Sequence, residues 1–331
     1  MATECPDHGG DHSHAAHASR EQALTVNGPW PHSSADPTAT KRLRERFSGE
    51  VYRRFRALKG AVRYAVVEAD VFGLTDARPT GQAREVRPVW SPNDPDINLT
   101  PPSPGAFDFP SDERKVDEFV RWLDRETNRG ILEAGKFEQG GRPGAARPWA
   151  NTYIRSSYEK GVTHADAAMV EQGMIPPEGT LDDVFRATKH ADSAGLVFTR
   201  AYRELDGVTN AMGQAMSREL AAGITQGENP RKIARRLNDR VDNIGLHRGR
   251  MVARTEIIRS HNEAALNRYE DVKTRVGGVT LLAEHVTAGD RRVCPECAAL
   301  AGTVYKLDEA RGAIPVHPNC RCTWVPLRRN N

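Results

Sequence analysis

Along most of this chain apolar residues recur at helical spacing. Leu43, Phe47, Val51, Phe55, Leu58, Val62 and Ala65 advance in steps of three and four, one face of a helix from Asp36-Pro37 to about Val71. Asp36 can cap it, with Pro37 in the first turn. Gly49 and Gly60 weaken it by about 1 kcal/mol each relative to Ala. The pattern resumes behind Ser111 with Val116, Phe119, Val120 and Leu123, and further helices are expected near 149–172, 181–189 and 191–222. Asn229-Pro230 opens a short one carrying Ile233, Leu237 and Val241.

The most regular helix runs from Leu246 to about Thr274. Met251, Ile258, Ala265 and Val272 recur every seven residues. On flanking lines Arg254 and His261 are seven apart, as are Thr255 and Asn262, so each pair lies close to one face. Such a polar row is either a wet helix edge or a hydrogen-bonded network against which a C-terminal module docks. Gly277-Gly278 ends the helix. Beyond it, residues 279–283, 302–305 and 323–325 are short and β-branched or aromatic, the pattern of a small sheet. The expected fold class is a mostly α helical body with a small C-terminal α+β module.

Two stretches lack the pattern. Residues 1–36 carry Glu4, Asp7, Asp11, Glu21 and Asp36 against Arg20, with His8, His12, His14, His17 and His32 among Gly, Pro and Ser. That is too little apolar surface to offset ordering entropy, so a disordered, solvated tail is expected, with metal binding by the histidines the alternative. Residues 78–110 are rich in proline and read as a long loop inside a helical N-terminal region, 37–204. No run approaches ~18 apolar residues, which excludes a membrane-spanning helix. The first residues lack the basic flank and apolar core of a secretory signal, so synthesis in a reducing cytoplasm is expected.

Charge adds a local feature. The net charge of +3 over 331 residues is small, but it is unevenly spread. Opposite the apolar face of the first helix lie Lys41, Arg42, Arg44, Arg46, Arg53, Arg54, Arg56, Lys59 and Arg63, either a solvated face or a contact for DNA or an acidic protein. Residues 231–259 are a second basic stretch, centred on Arg235, Arg236 and Arg240. Contact with duplex phosphates there would be sequence-independent and salt-sensitive. The other reading pairs these arginines with carboxylates of a partner or of neighbouring helices. Aromatic residues are rare in both stretches, which argues against single-strand stacking.

The cysteines carry the chemistry. Cys294, Cys297, Cys320 and Cys322 lie within 29 residues, and only Cys5 stands apart. Cys294-Pro-Glu-Cys297 and His317-Pro-Asn-Cys320-Arg-Cys322 form two short donor pairs with 22 residues (298–319) between Cys297 and Cys320, room for a β-hairpin. Zinc closes such a tetrahedron with ~2.3 Å bonds to sulfur and ~2.0 Å to nitrogen. Five donors compete for four places. Cys294, Cys297, His317 and Cys320 are the preferred set, with Cys322 able to replace His317; metal-free thiols and disulfides are the alternatives. The zinc would be structural, because soft ligands close the site and no His-x-Glu precedes a Pro-Cys-x₂-Cys as in zinc deaminases. Neither HExxH nor a P-loop occurs.

Residues 253–262 (ARTEIIRSHN), Asp290 with the Cys-x₂-Cys, Gly302, and Val316-His-Pro-Asn-Cys-Arg-Cys322 together resemble the phage Mu F-like head morphogenesis family, the minor head proteins of tailed bacteriophages. The resemblance covers about 205–328, with the Cys/His knob at 279–328. It implies a non-enzymatic virion protein, made in the host cytoplasm and retained inside the head near the portal. Its partners would be the portal protein, capsid or scaffold proteins and non-specific double-stranded DNA, with no membrane, and its role would lie in head morphogenesis and in DNA packaging or ejection. Arg254, Thr255, Glu256, Asn262, Asp290, Gly302 and Arg321 are carried over as structural determinants, beside the cysteines and His317. The competing class is a metal-dependent nuclease or DNA-processing enzyme using His285 or His317 beside Asp290.

Overall fold

The computed structural model describes residues 36–75, 97, 99–132, 149–275 and 279–330. The histidine-rich tail before Asp36, the Gly277-Gly278 break and residues 76–96 and 98 of the Pro-rich stretch lie outside the described residues. In chain order the elements are α1 (Lys41–Arg63), α2 (Asp112–Thr127), α3 (Trp149–Glu171), α4 (Leu181–Arg186), α5 (Thr188–Thr225), α6 (Pro230–Arg240), α7 (His247–Arg275), β1 (Val279–Val286), α8 (Pro295–Leu300), β2 (Val304–Lys306), α9 (Leu307–Ala310) and β3 (Thr323–Asn330). The described chain is thus mostly helical with a small C-terminal strand module. Its contacts gather it into two compact units, Met1–Arg42 with Ile154–Val197 and Thr255–Asn331, and Leu43–Tyr153 with Phe198–Arg254. This division cuts across the linear segments 37–204 and 205–328.

The first helix starts later than its apolar pattern predicts. Ala39 adopts a left-handed conformation (φ 50°), and Asp36 caps from outside, its Oδ2 accepting the Lys41 N–H at 2.6 Å. Helix α1 gives way at its end to a π turn, Tyr64–Glu68. Arg54, which the pattern assigns to the basic outer face, is instead 2% exposed. Its guanidinium lies 4.4 Å from the Trp149 ring centroid and donates to the Gly130 carbonyl at 2.7 Å. A cation–π contact and a carbonyl offset its desolvation.

Elsewhere in that unit Phe72, Phe107, Phe119 and Trp122 form a chain of ring contacts at 5.3–6.3 Å. The described end of the Pro-rich stretch packs here as an ordered loop: Ile97 and Leu99 are buried, and the Thr100 carbonyl accepts from Trp122 Nε1 at 2.9 Å.

In the other unit α3 and α7 approach closely. A Cβ on Gly161 would stand 2.2 Å from the His261 carbonyl oxygen, so the crossing needs glycine's missing side chain. Two hydroxyls tie the helices reciprocally: Ser157 Oγ donates to Ile257 O at 2.6 Å and Ser260 Oγ to Ile154 O at 2.9 Å. The sheet has the order β2-β1-β3, all antiparallel. Its β1–β3 pair runs from Val279↔Asn330 to Val286↔Thr323, longer than the β-branched patches suggest. Leu281, Ala283 and Trp324 bury against Leu266, Tyr269 and Val272 of α7. No hairpin spans the residues between the two Cys/His pairs. That stretch holds the end of α8, then β2 and α9, because β2 finds its partner in the free edge of β1 upstream of the cysteines.

The outer edge of β3 is taken up by side chains. Asn262 Nδ2 donates to Cys322 O at 3.2 Å, and its Oδ1 accepts from Trp324 N at 3.0 Å. Tyr269 Oη donates to Trp324 O at 3.1 Å. Gln172 continues the row, donating to Pro326 O and accepting from Arg328 N.

Candidate metal centre

Helix α8 begins on Cys294, whose Sγ accepts the Cys297 N–H at 3.4 Å. The second sulfur pair repeats this, with Cys322 N donating to Cys320 Sγ at 3.5 Å. His317 Nε2 lies 3.1 Å from Cys294 Sγ and 3.2 Å from Cys297 Sγ. Its Nδ1 is 2.7 Å from the Pro318 carbonyl. A carbonyl only accepts, so Nδ1 carries the proton and the Nε2 lone pair faces the two sulfurs. Cys297 Sγ is 3.9 Å from Cys320 Sγ.

The donors form two triads that share Cys297: Cys294, Cys297 and His317, and Cys297, Cys320 and Cys322. Bonds of ~2.3 and ~2.0 Å at tetrahedral angles require about 3.5 Å between sulfur and nitrogen and about 3.8 Å between sulfurs. The observed separations are close to both, and the cluster could hold a metal ion. None of the four cysteines is bridged. Hydrogen bonds from Cys297 and Cys322 hold the Cys320 thiol well below its ordinary range, while the bond to Cys320 pushes Cys297 up.

The surrounding residues fasten this knob. Arg321 grips Asp290 through two bonds of 2.7 and 2.6 Å, and Arg292 Nη2 adds a third at 2.8 Å. These guanidiniums, Arg321 foremost, hold the Asp290 carboxyl well below the usual carboxylate range. Asn319, in a left-handed conformation (φ 62°), donates its N–H to Thr255 Oγ1 at 3.1 Å. With Asn262 on β3, the Thr255 and Asn262 row of α7 is a docking network and no wet edge. Arg311, just past α9, reaches Glu270 and Asn267 at 2.8 Å. Glu256 is buried beside Arg259, and Arg254 is half-buried at the end of its own unit. Gly302 is left-handed (φ 76°), and its N–H donates to His285 O at 2.9 Å.

Groups proposed for other chemistry are engaged elsewhere. His285 is 1% exposed and stands edge-to-face with Trp324, ring centroids 5.6 Å apart. Burial pushes its imidazole below the usual histidine range, against the charge of Cys320. Asp290 is clamped by arginine, and His317 faces sulfur. On α6, Arg236 bridges Glu219 and Glu228, Nε–Oε2 2.6 Å and Nη1–Oε2 2.9 Å. Arg240 joins Glu219 at 2.6 Å, and Arg235 is exposed.

Sequence reading missed Gln172, Arg311 and Gly161 as determinants of this unit. Only Gly161, a glycine interrupting a helical pattern, left a signal.

Fold and site together define a helical protein carrying a small α+β knob with clustered Cys and His donors. Residues 214–325, about a third of the chain, match the model of the family described as Phage Mu protein F like protein. Over that stretch the chain is similar to phage Mu F-like proteins, the family its Arg-Thr-Glu and Cys/His motifs resemble. No curated protein and no solved structure matches the chain. No described helix is long and apolar enough to cross a membrane.

Proposed function

We propose that this protein is a minor head protein of a tailed phage, held at the portal inside the head, and that its C-terminal knob is a zinc-stabilised folding and anchoring unit without catalytic activity. The observation that carries the reading is the overlap of the family match, residues 214–325, with α7 and the knob docked on it. Zinc is favoured by the donor chemistry, four cysteine sulfurs and one imidazole whose tautomer is set for ligation. Such a closed set offers no open position for water. Cross-linking mass spectrometry of purified heads tests the location: links to portal support it, and links only to tail or capsid shell refute it. Replacing Cys294 and Cys297 with Ser should lower incorporation into heads, whereas incorporation at wild-type level would make the knob dispensable.

Non-specific duplex contact is a secondary part of the proposal. Glu219 and Glu228 already neutralise Arg236 and Arg240, so Arg235 would carry most of it. Changing Arg235, Arg236 and Arg240 to Gln should flatten the salt dependence of binding, and binding indifferent to the change removes DNA from the role. A nuclease assay with and without divalent metal addresses the competing enzyme class, for which His285 and Asp290 are poorly disposed.

A further inference from the structure

In the unit that carries the knob, a groove of about 190 Å³ is lined by Met174, Ile175, Val272 and Leu281, with Lys273 and Arg328 beside them. Ile175 is 83% exposed, an unusual position for a large aliphatic side chain. Its backbone is well fastened. Pro176 and Pro177 follow it, and the buried Arg268 donates to the Pro177 carbonyl at 2.7 Å while gripping Asp166. An apolar side chain held outward in this way is preorganised for a contact. The β3 backbone here is already bonded to Gln172, so an occupant cannot add as a strand. It has to bring an apolar side chain flanked by carboxylates.

Six residues on, the same unit displays that chemistry. Leu181, 40% exposed, opens α4, and Glu178 and Asp182 on either side of it in sequence are exposed. The turn is locked by a capping box in which Thr180 and Asp183 bond each other's backbone. Charge on the two surfaces is opposite and largely unspent. Among the described residues Lys273 and Arg328 pair with no carboxylate and Glu178 with no cation, while Asp182 reaches Arg155 only at 3.7 Å. Neither Glu178 nor Leu181 lines the groove of its own chain.

We propose that two copies of this chain pair through these surfaces. Leu181 of each enters the groove of the other against Ile175 and Val272, and Glu178 and Asp182 face Lys273 and Arg328. Each copy carries both halves, so the exchange is mutual and the assembly closes at two. The contact is small, which makes the pair weak and concentration-dependent, and charge sets its specificity. Pairing depends neither on a metal nor on a place in the head.

A mixture of ¹⁵N-labelled and unlabelled full-length protein tests this with a carbodiimide, which joins a carboxylate to a lysine without a spacer. The expected products join Lys273 of one isotope to Glu178 or Asp182 of the other. Sedimentation over a concentration series then tests the charge pattern. Lys273→Glu/Arg328→Glu sets acid against acid in its own pair, and Glu178→Lys/Asp182→Lys sets base against base. Each variant should self-associate at least about tenfold more weakly than wild type. Mixed together they are complementary at both contacts, so a dimer of wild-type strength should return. All four positions are exposed, so folding should survive. Self-association of either variant at wild-type strength overturns the proposal, as does a mixture that stays monomeric. Lys273 products that are absent, or confined to single chains, also overturn it and leave the groove to an acidic segment of another protein.

Discussion

Asn262 stands in for a neighbouring strand. Its carboxamide accepts from Trp324 N and donates to Cys322 O, the pair of bonds a backbone peptide would make. Asn262→Leu leaves a buried donor and acceptor unpaired, each costing about 1–3 kcal/mol, so a loss of about 2–6 kcal/mol is expected in chemical denaturation. A loss below about 1 kcal/mol would mean that water replaces the amide. Asp290 adds a pH dependence with a definite sign. Its folded pKa is depressed by Arg321, so its contribution is complete above the ordinary carboxylate value of ~3.9 and fades as pH falls below it. Wild type should therefore exceed Asp290→Asn in stability at pH 6, and the gap should begin to shrink below about pH 4, persist in good part at about pH 3, and close only as pH falls through the depressed folded pKa; a gap independent of pH would rule out the ion pair as its source. The sequence made Thr255 and Asn262 visible as a spaced polar row. It could not reveal their partners, which are backbone atoms of Asn319, Cys322 and Trp324 and leave no trace in side-chain identity.

Among elements, the contact of α3 with α7 is the most demanding. Gly161→Ala forces a methyl group against the His261 carbonyl, and overpacking of this kind costs about 1–3 kcal/mol or more. Gly49 of α1 is the control, since a Cβ there meets nothing within 4 Å. Gly49→Ala should stabilise by about 0.5–1 kcal/mol through helix propensity alone. Thermal unfolding that moves in the same direction for both variants would contradict this distinction. Helical periodicity made α1, α2 and α6 legible because each buries one apolar stripe, whereas α7 is buried almost all round from Ser260 to Tyr269. It misassigned Arg54, whose aromatic and carbonyl partners come from Trp149 and Gly130, far away in sequence. It also left out the full lengths of β1 and β3, whose polar ends are held in the sheet by pairing and not by propensity.

For the whole molecule, the consequence of the cluster is local dependence on metal. Ligand binding energy is folding energy in such sites. A chelator should raise hydrogen exchange across residues 290–297 and 317–322 and leave the aromatic cluster around Phe119 protected. Elemental analysis should find about one zinc per chain. Zinc-replete protein without metal, or uniform loosening of both units, would separate the knob's stability from any ion. The Cys/His spacing announced this centre, while the interleaving of the two units was hidden. Helices α3, α5 and α7 each lend residues to both units, and nothing in a linear hydrophobic pattern marks where one helix changes its packing partners.

The stitched margin of β3 bears on how the protein behaves in company. A bare strand edge is a template that recruits strands from other chains and propagates into aggregates. Asn262, Tyr269 and Gln172 occupy that template in every folded copy. Solubility and knob docking are therefore one property, held by the same three side chains, and variants that undock the knob are the ones that should polymerise.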